Sequence, residues 1–317
     1  MAISRHIERF HDLPVFDFVA AVADGAELPA APDVAWKVGV DYESEQTFVE
    51  RWQQFLDTVD TERVRAVVVG QWFQEEPEML TEPLAAVTGA ADRLPALRGL
   101  FVGDVTFEEC EISWLQMCDV TPVFRAFPRL EELVVRGAGK DWDGNGGLEL
   151  EPVRHEHLRA LRFEAGGLPA AVVRAVGACD LPVLERLELW LGVDEYGGDS
   201  TIGDLEPFLS GAALPALRHL GLQNSEYQDE IAAAVAEAPV VARLERLALS
   251  MGALTDEGVA ALLEGQPLTH LTSLDLHHHY LTDQVRDRLV EALPGVELDL
   301  SDGNKPEDDW RYVAVAE

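Results

Sequence analysis

The chain has 317 residues, with 58 acidic and 24 basic side chains and a formal net charge of -34. Such a charge repels phosphate backbones and anionic surfaces, and no apolar run approaches the roughly 18 residues a membrane helix needs, so neither nucleic acid nor membrane is an expected partner. Three cysteines, Cys110, Cys118 and Cys179, are too few and too scattered for a disulfide framework or a zinc site.

The opening MAISRHIERF has no apolar stretch after its basic residues, so no secretory leader is read there and the cytoplasm is the expected compartment. Residues 1–30, with Phe10, Phe16 and Phe18, show no periodicity that assigns them. Next come VAWKVGV (Val34 to Val40), read as a strand, and TFVERWQQFLDTV (Thr47 to Val59), read as a helix. Together residues 1–63 form an expected N-terminal segment and cap.

From Val64 one phrase recurs: apolar, two others, Leu, two others, Leu or Val, one other, apolar. Its copies are LPALRGLFV from Leu94, FPRLEELVV from Phe127, HEHLRALRF from His155, LPVLERLEL from Leu181, LPALRHLGL from Leu214, VARLERLAL from Val241 and LTHLTSLDL from Leu268. The second anchors, Leu97, Leu130, Leu158, Leu184, Leu217, Leu244 and Leu271, are separated by 33, 28, 26, 33, 27 and 27 residues. VRAVVV at Val64 to Val69 and VELDL at Val296 to Leu300 are weaker copies, so the array spans 64–300. Between copies, segments such as EMLTEPLAAVTGAA (Glu78 to Ala91), PAAVVRAVGA (Pro169 to Ala178), EIAAAVAEA (Glu230 to Ala238) and LTDEGVAALLEG (Leu254 to Gly265) have helical spacing. Prolines at Pro95, Pro128, Pro182, Pro215 and Pro267 mark the return to each strand. Residues 301–317 comprise the acidic SDGNKPEDD loop and WRYVAVA, a C-terminal cap expected to pair with the last strand.

The phrase is the signature of a leucine-rich repeat. The expected fold class is α/β: one elongated leucine-rich-repeat solenoid, its parallel sheet on the concave side and its helices on the convex side. The pattern resembles the ribonuclease-inhibitor type of repeat. The whole chain also resembles a bacterial leucine-rich-repeat family encoded beside radical-SAM and ATP-grasp proteins. HDLPVFDF (His11 to Phe18), FLDTVDT (Phe55 to Thr61), TFEECEISW (Thr106 to Trp114), SEYQDEIAAA (Ser225 to Ala234) and SMGALTDEGVAALLEGQPLTHL (Ser250 to Leu271) carry that closer likeness. It implies the architecture and no assigned activity. The asparagine that many such repeats place after the strand is missing, that register holding Val105, Ala138, Gly166, Gly192, Ser225, Gly252 and His279, with Asn224 one position early.

Function in such a fold must come from surfaces. Alternation along each strand places three columns of residues on the groove face, with four acids and four arginines among 24 positions, so the acidity lies elsewhere. In the middle column Val68, Phe101 and Val134, flanked by Gly70, Gly99 and Gly103, form an apolar strip that is either a contact site or covered by the N-terminal segment. Arg136 falls beside Glu164 and Arg162 beside Glu188, pairing charge between strands. Trp190 with Arg186, His219, Arg246 and His277 forms an aromatic and basic patch, open to a partner or covered by the acidic GVDEYGGDS loop, and Asp275 lies beside it.

Other motifs carry less. Residues His277, His278 and His279 alternate in direction along a strand, so at most two could share an ion, with no Cys or carboxylate recurring at ligand spacing beside them; Asp141, Asp143, Asn145 and Gly146 open like a calcium loop, but Pro152 stands where its closing Glu belongs. His155, Glu156 and His157 lie inside a repeat phrase, and no nucleophile elbow, phosphate-binding loop or H-E-x-x-H occurs. The expectation is a non-catalytic interaction scaffold without cofactor or metal. Its partner would be a protein, basic or an associated biosynthetic enzyme; the alternative is an accessory or substrate-recognition subunit of a neighbouring radical-SAM/ATP-grasp system.

Overall fold

A computed structural model of the chain describes residues 3–305 and 310–317, so part of the expected acidic SDGNKPEDD loop, residues 306–309, lies outside the described residues. By contact the chain divides into two compact units, Ala2–Ala160 and Leu161–Ala316. No helix among the described residues is long and apolar enough to cross a membrane.

In the first unit the strands β1 (Arg9–Phe10), β2 (Leu13–Asp17), β3 (Ala35–Val38), β4 (Ala66–Val69), β5 (Gly99–Val102) and β6 (Glu132–Arg136) lie side by side in chain order. Strands β1 and β2 are antiparallel, and every pair from β2 to β6 is parallel. The parallel series therefore begins at Leu13, well before the repeat phrase becomes legible at Val64. Helices α1 (Phe18–Ala23), α2 (Phe48–Thr58), α3 (Thr81–Gly89) and α4 (Thr121–Ala126) separate the strands, as parallel pairing requires.

Helix α2 shows why this order holds. Phe48, Trp52, Phe55 and Leu56 recur at helical spacing and are buried, and Thr47 with Glu50 forms a reciprocal capping box at its start. Its buried face joins Phe18 and Trp36 in an aromatic cluster, with Phe55 centred 5.4 Å from Phe18 and 5.8 Å from Trp36. The indole nitrogens are satisfied: Trp36 donates to the Ala31 carbonyl and Trp52 to that of Ala86. This cluster packs α1 and α2 against β3.

The second unit repeats the scheme with β7 (Ala160–Glu164), β8 (Arg186–Gly192), β9 (His219–Ser225), β10 (Arg246–Ala248), β11 (Ser273–Asp275) and β12 (Glu297–Asp299). Its helices are α5 (Ala170–Ala178), α6 (Ile202–Leu209), α7 (Gln228–Ala236), α8 (Asp256–Glu264) and α9 (Asp283–Ala292). Register follows the repeat phrase: Leu187, Leu220, Leu247 and Leu274 pair in sequence and are buried, while Arg186, His219, Arg246 and Ser273 form the adjoining row on the other face.

A carboxylate ladder ties successive repeats together at the helix starts. Asp229, in the first turn of α7, accepts from the Thr255 amide (2.7 Å), the Thr255 hydroxyl (2.6 Å) and the Gly258 amide (3.1 Å), all at the start of α8. One repeat later Asp256 takes the amide and hydroxyl of Thr282 at the start of α9. In these two steps a helix supplies an anion to unpaired donors at the start of the next.

The missing asparagine ladder is replaced by different chemistry. Gln228 is fully buried, donates to the Leu222 carbonyl and accepts from the Ser225 amide, closing the turn after β9. Left-handed backbone occurs at Asn224, near the end of β9, and beyond β10 and β11 at Met251 and His278. The C-terminal residues run across these three positions and not along the last strand, which corrects the pairing expected for WRYVAVA. Val315 donates to Asn224 Oδ1 (2.9 Å), Ala314 to the Met251 carbonyl (2.7 Å), and His278 Nε2 contacts the Tyr312 carbonyl (2.9 Å).

Candidate functional site

The expected apolar strip is not open. Val68, Phe101 and Val134 are aligned on β4, β5 and β6, but all are buried, with Phe101 0% exposed. The cover is the β1–β2 hairpin, whose two turn residues, His11 and Asp12, both have positive φ, as a tight two-residue hairpin requires. Phe10 packs edge-on against Phe101 with ring centroids 5.7 Å apart, and Ile7, Leu13 and Val15 complete the seal. Gly99 makes room: a Cβ there would lie 2.8 Å from that of His11. As contact residues for a partner, Val68, Phe101 and Val134 are therefore corrected to core residues; of the two readings open from sequence, the N-terminal cover is the one realised.

Polar contacts fasten this cover. The His6 ring contacts Asp104 (3.2 Å) and Glu109 (3.3 Å), the Ile7 amide donates to Asp104 Oδ1, and His11 Nδ1 lies 3.1 Å from Glu132 Oε2. Asp104 is wholly buried and is also met by Lys37 (3.2 Å) and Arg136 (3.5 Å), while the Arg136 guanidinium lies 5.0 Å from the centre of the Phe101 ring. Contact with the Asp104 carboxylate, then with Glu109, raises the His6 pKa to about 9. Burial pushes the Asp104 pKa up, but the His6 contact and the Lys37 and Arg136 charges outweigh it and hold the carboxyl below its usual range.

The second unit presents a different face. On β8 the leucines Leu187, Leu189 and Leu191 are buried, Arg186 is exposed, and Glu188 and Trp190 are half-buried. Arg162 reaches Glu188 (3.3 Å), as the column pairing predicts, and also Glu164 (3.0 Å). His219 Nε2 lies 3.3 Å from Glu188, and burial, more than any nearby charge, lowers the His219 pKa. Farther along, Gln223 donates to Ser250, Ser250 to Asp275, and Asp275 Oδ1 lies 2.8 Å from His277 Nδ1. That last contact raises the His277 pKa. A pocket of about 370 Å³ opens beside this chain, lined by Arg246, Thr272, Ser273, Leu274, Asp275, Glu297 and Asp299.

Trp190 is less prominent than an outward-facing residue would be: it is half-buried, and its Nε1 is enclosed without an acceptor among the described residues. Arg186 and Arg246 stand exposed in one row with His219 between them. Arg162, Arg186, Glu188, Trp190, His219, Arg246, Asp275 and His277 are thus brought together on β7 to β11, while Val68, Phe101 and Val134 belong to the other unit's core.

The three consecutive histidines do three separate things. His277 meets Asp275, His278 meets the C-terminal Tyr312 carbonyl, and His279 is buried with its rings' nitrogens on the Leu300 carbonyl and the Leu281 amide. Asp275, His277 and Asp299 do bring one ligand-type atom each within 4.8 Å of one another. Asp275 is already bonded to Ser250 and His277, and Asp299 to Ser301.

Other polar motifs resolve into structure. His155 bonds the Phe127 carbonyl through Nε2 and the Leu158 amide through Nδ1, so H-E-H closes a repeat turn. Asp141 accepts the amides of Asp143 and Asn145 within its glycine-rich loop. Burial pushes the Cys110 and Cys118 thiols up to about 11, far from the range of a reactive thiolate. Sequence reasoning set Asn224 aside as out of register, and did not single out the exposed pair Trp114 and Trp142, whose rings lie 5.4 Å apart. The two tryptophans lie outside the repeat phrase, Trp114 closing a short 3-10 turn and Trp142 in the glycine-rich loop.

No family model matches the chain, and no curated protein matches it. Among solved structures it is similar to a protein from Bacteroides fragilis, at 28% identity and a TM-score of 0.79, over 90% of this chain and 78% of that one. Weaker superpositions are found with TLR13 in complex with ssRNA13 (12% identity, TM-score 0.31, 86% of this chain and 42% of that one) and with a leucine-rich-repeat protein from Leptospira interrogans (11% identity, TM-score 0.20, 91% and 100%). At those scores neither bears on function. The recurring phrase, the parallel strands and the alternating helices make this an α/β leucine-rich-repeat solenoid fold.

Proposed function

We propose that the chain is a non-catalytic interaction scaffold that binds a partner protein through the uncovered sheet face of β8 to β11. One observation carries this reading: the first unit's strip is covered by the chain's own hairpin, whereas Arg186, Trp190, His219 and Arg246 in the second unit form a mixed aromatic and cationic surface. Strands fixed by a leucine core hold these side chains in place, so little ordering cost is added on binding. The strings that resemble the family found beside radical-SAM and ATP-grasp proteins suggest a narrower version, in which the partner is one of those enzymes.

The test is hydrogen exchange on the protein in the presence of affinity-captured partner, with a Trp190→Ala, Arg246→Ala double variant alongside. Protection on β8 to β11, lost with the folded variant, is the expected result. Protection elsewhere, with capture unchanged by the variant, rejects this face.

A further inference from the structure

Among the arginines that form no ion pair with a described residue, Arg186 and Arg246 share one row of the sheet. Both are exposed, and neither forms an ion pair with a described residue. They occupy the same row on β8 and β10, with His219 of β9 between them, which places their backbones about 10 Å apart from two strand spacings. Of the acids near them, Glu188 is engaged by Arg162 and His219 and Asp275 by Ser250 and His277, while Glu297 and Asp299 of β12 line the pocket that Arg246 also lines. Two exposed guanidiniums outside any ion pair, one on each side of His219, are donors open to an anion on a strongly anionic molecule.

We propose that the segment seated on β8 to β10 is an acidic peptide whose carboxylates are held by Arg186 and Arg246. This rests on the interaction reading above and adds the chemistry of the partner. Guanidinium and carboxylate form charge-assisted, often bidentate hydrogen bonds, and the row supplies two donors with none of their capacity spent inside the protein. The remaining acidic shell then acts as a filter, because an acidic segment is attracted only where the two arginines project and is repelled elsewhere. A basic segment would meet the opposite pattern, drawn to the whole surface and repelled at this site.

His219 supplies an internal reporter. It faces Arg186 and Glu188 on β8, Arg246 on β10 and Asp275 on β11, and the two arginines disfavour its protonation while the two acids favour it. A carboxylate bound between the arginines offsets their field, so His219 takes up a proton more readily in the complex.

The experiment is fluorescence anisotropy with the full chain and two labelled peptides, alternating Gly-Glu and alternating Gly-Lys, against wild type, Arg186→Gln/Arg246→Gln, and Arg288→Gln on the exposed face of α9 as a charge control. The expected result is salt-sensitive binding of the Glu peptide, weakened about tenfold or more by the double variant and unchanged by Arg288→Gln. In parallel, the His219 ring titration followed by NMR moves to higher pH when the Glu peptide is added. Equal binding by the double variant, no binding of the Glu peptide, or tighter binding of the Lys peptide at this face overturns the proposal. If exchange protection by the native partner still maps to β8 to β11 in that case, the interaction reading stands and only the acidic chemistry fails. Protection elsewhere removes the interaction reading whatever the peptides do.

Discussion

Phe10 meets Phe101 edge to face at an interplanar angle of 84°, and this contact joins the N-terminal hairpin to the sheet of the first unit. Both rings are buried, with Ala35, Ala66, Val68 and Val134 around them. Truncating Phe10 removes a large ring and leaves a cavity, so Phe10→Ala is expected to lower stability by about 3 kcal/mol, read from urea unfolding. Phe101→Asp places a charge in the same apolar cavity beside Arg136, whose guanidinium already meets Asp104, and soluble folded protein is not expected. Recovery of a stable Phe101→Asp protein would show that the hairpin does not cover the strip.

Gly99 tests the same cover from beneath. A side chain there would strike His11 and Phe10, while the strand itself pairs through its backbone on both sides. Gly99→Val is expected to lift residues 3–12 off the sheet while leaving β5 paired. Hydrogen exchange should show lost protection at the Val15 amide, which bonds the Glu8 carbonyl, and retained protection at the Gly103 amide, which bonds Val69. Equal loss at both would mean that the hairpin and strand fold as one unit.

The His6 contacts make the cover pH-sensitive, and the direction follows from linkage. His6 titrates near 6.5 when unfolded and about 9 when folded, so its stabilising contribution is complete below about pH 6.5 and is lost as pH rises through 9. Asp104 works at the other end, its depressed pKa contributing stability that disappears as pH falls into the acid range. The urea midpoint should decline between pH 6.5 and 9.5 in wild type and be flatter over that window in His6→Gln. An unchanged slope in the variant would assign the decline to other groups.

The strand series is legible in sequence because period-two leucines such as Leu187 and Leu189 face the core in every copy, so each copy announces its own register. The cover over Phe101 is not legible for an equally physical reason. Arg9–Phe10 is two residues long, too short to show alternation, and its turn uses His11 and Asp12 in a conformation usually signalled by Asn or Gly. A glycine-flanked apolar strip looks the same in sequence whether it waits for a partner or for the chain's own N-terminal residues. On the second unit the pairing of Arg162 with Glu188 follows directly from column alignment, whereas the lack of an ion pair at Arg186 and Arg246 depends on side-chain placement that spacing alone does not give.

Asp229 offers the sharpest check on how neighbouring repeats hold each other. It makes three bonds to the start of α8, and the Gly258 side adjoins it so closely that a Cβ there would fall 2.5 Å from Asp229 Oδ1. Asp229→Ala leaves the Thr255 and Gly258 donors without their anion and is expected to cost about 2 kcal/mol, at the upper end for a lost cap because the acceptor is charged. Asp229→Asn keeps the shape and one acceptor oxygen, so it should retain part of that stability. The homologous Asp256→Ala, one repeat later, acts on an exposed Thr282 and should cost less. Urea midpoints ordered wild type, Asp229→Asn, Asp229→Ala would support the ladder; equal midpoints for all three would mean that helix packing alone fixes the spacing of the repeats.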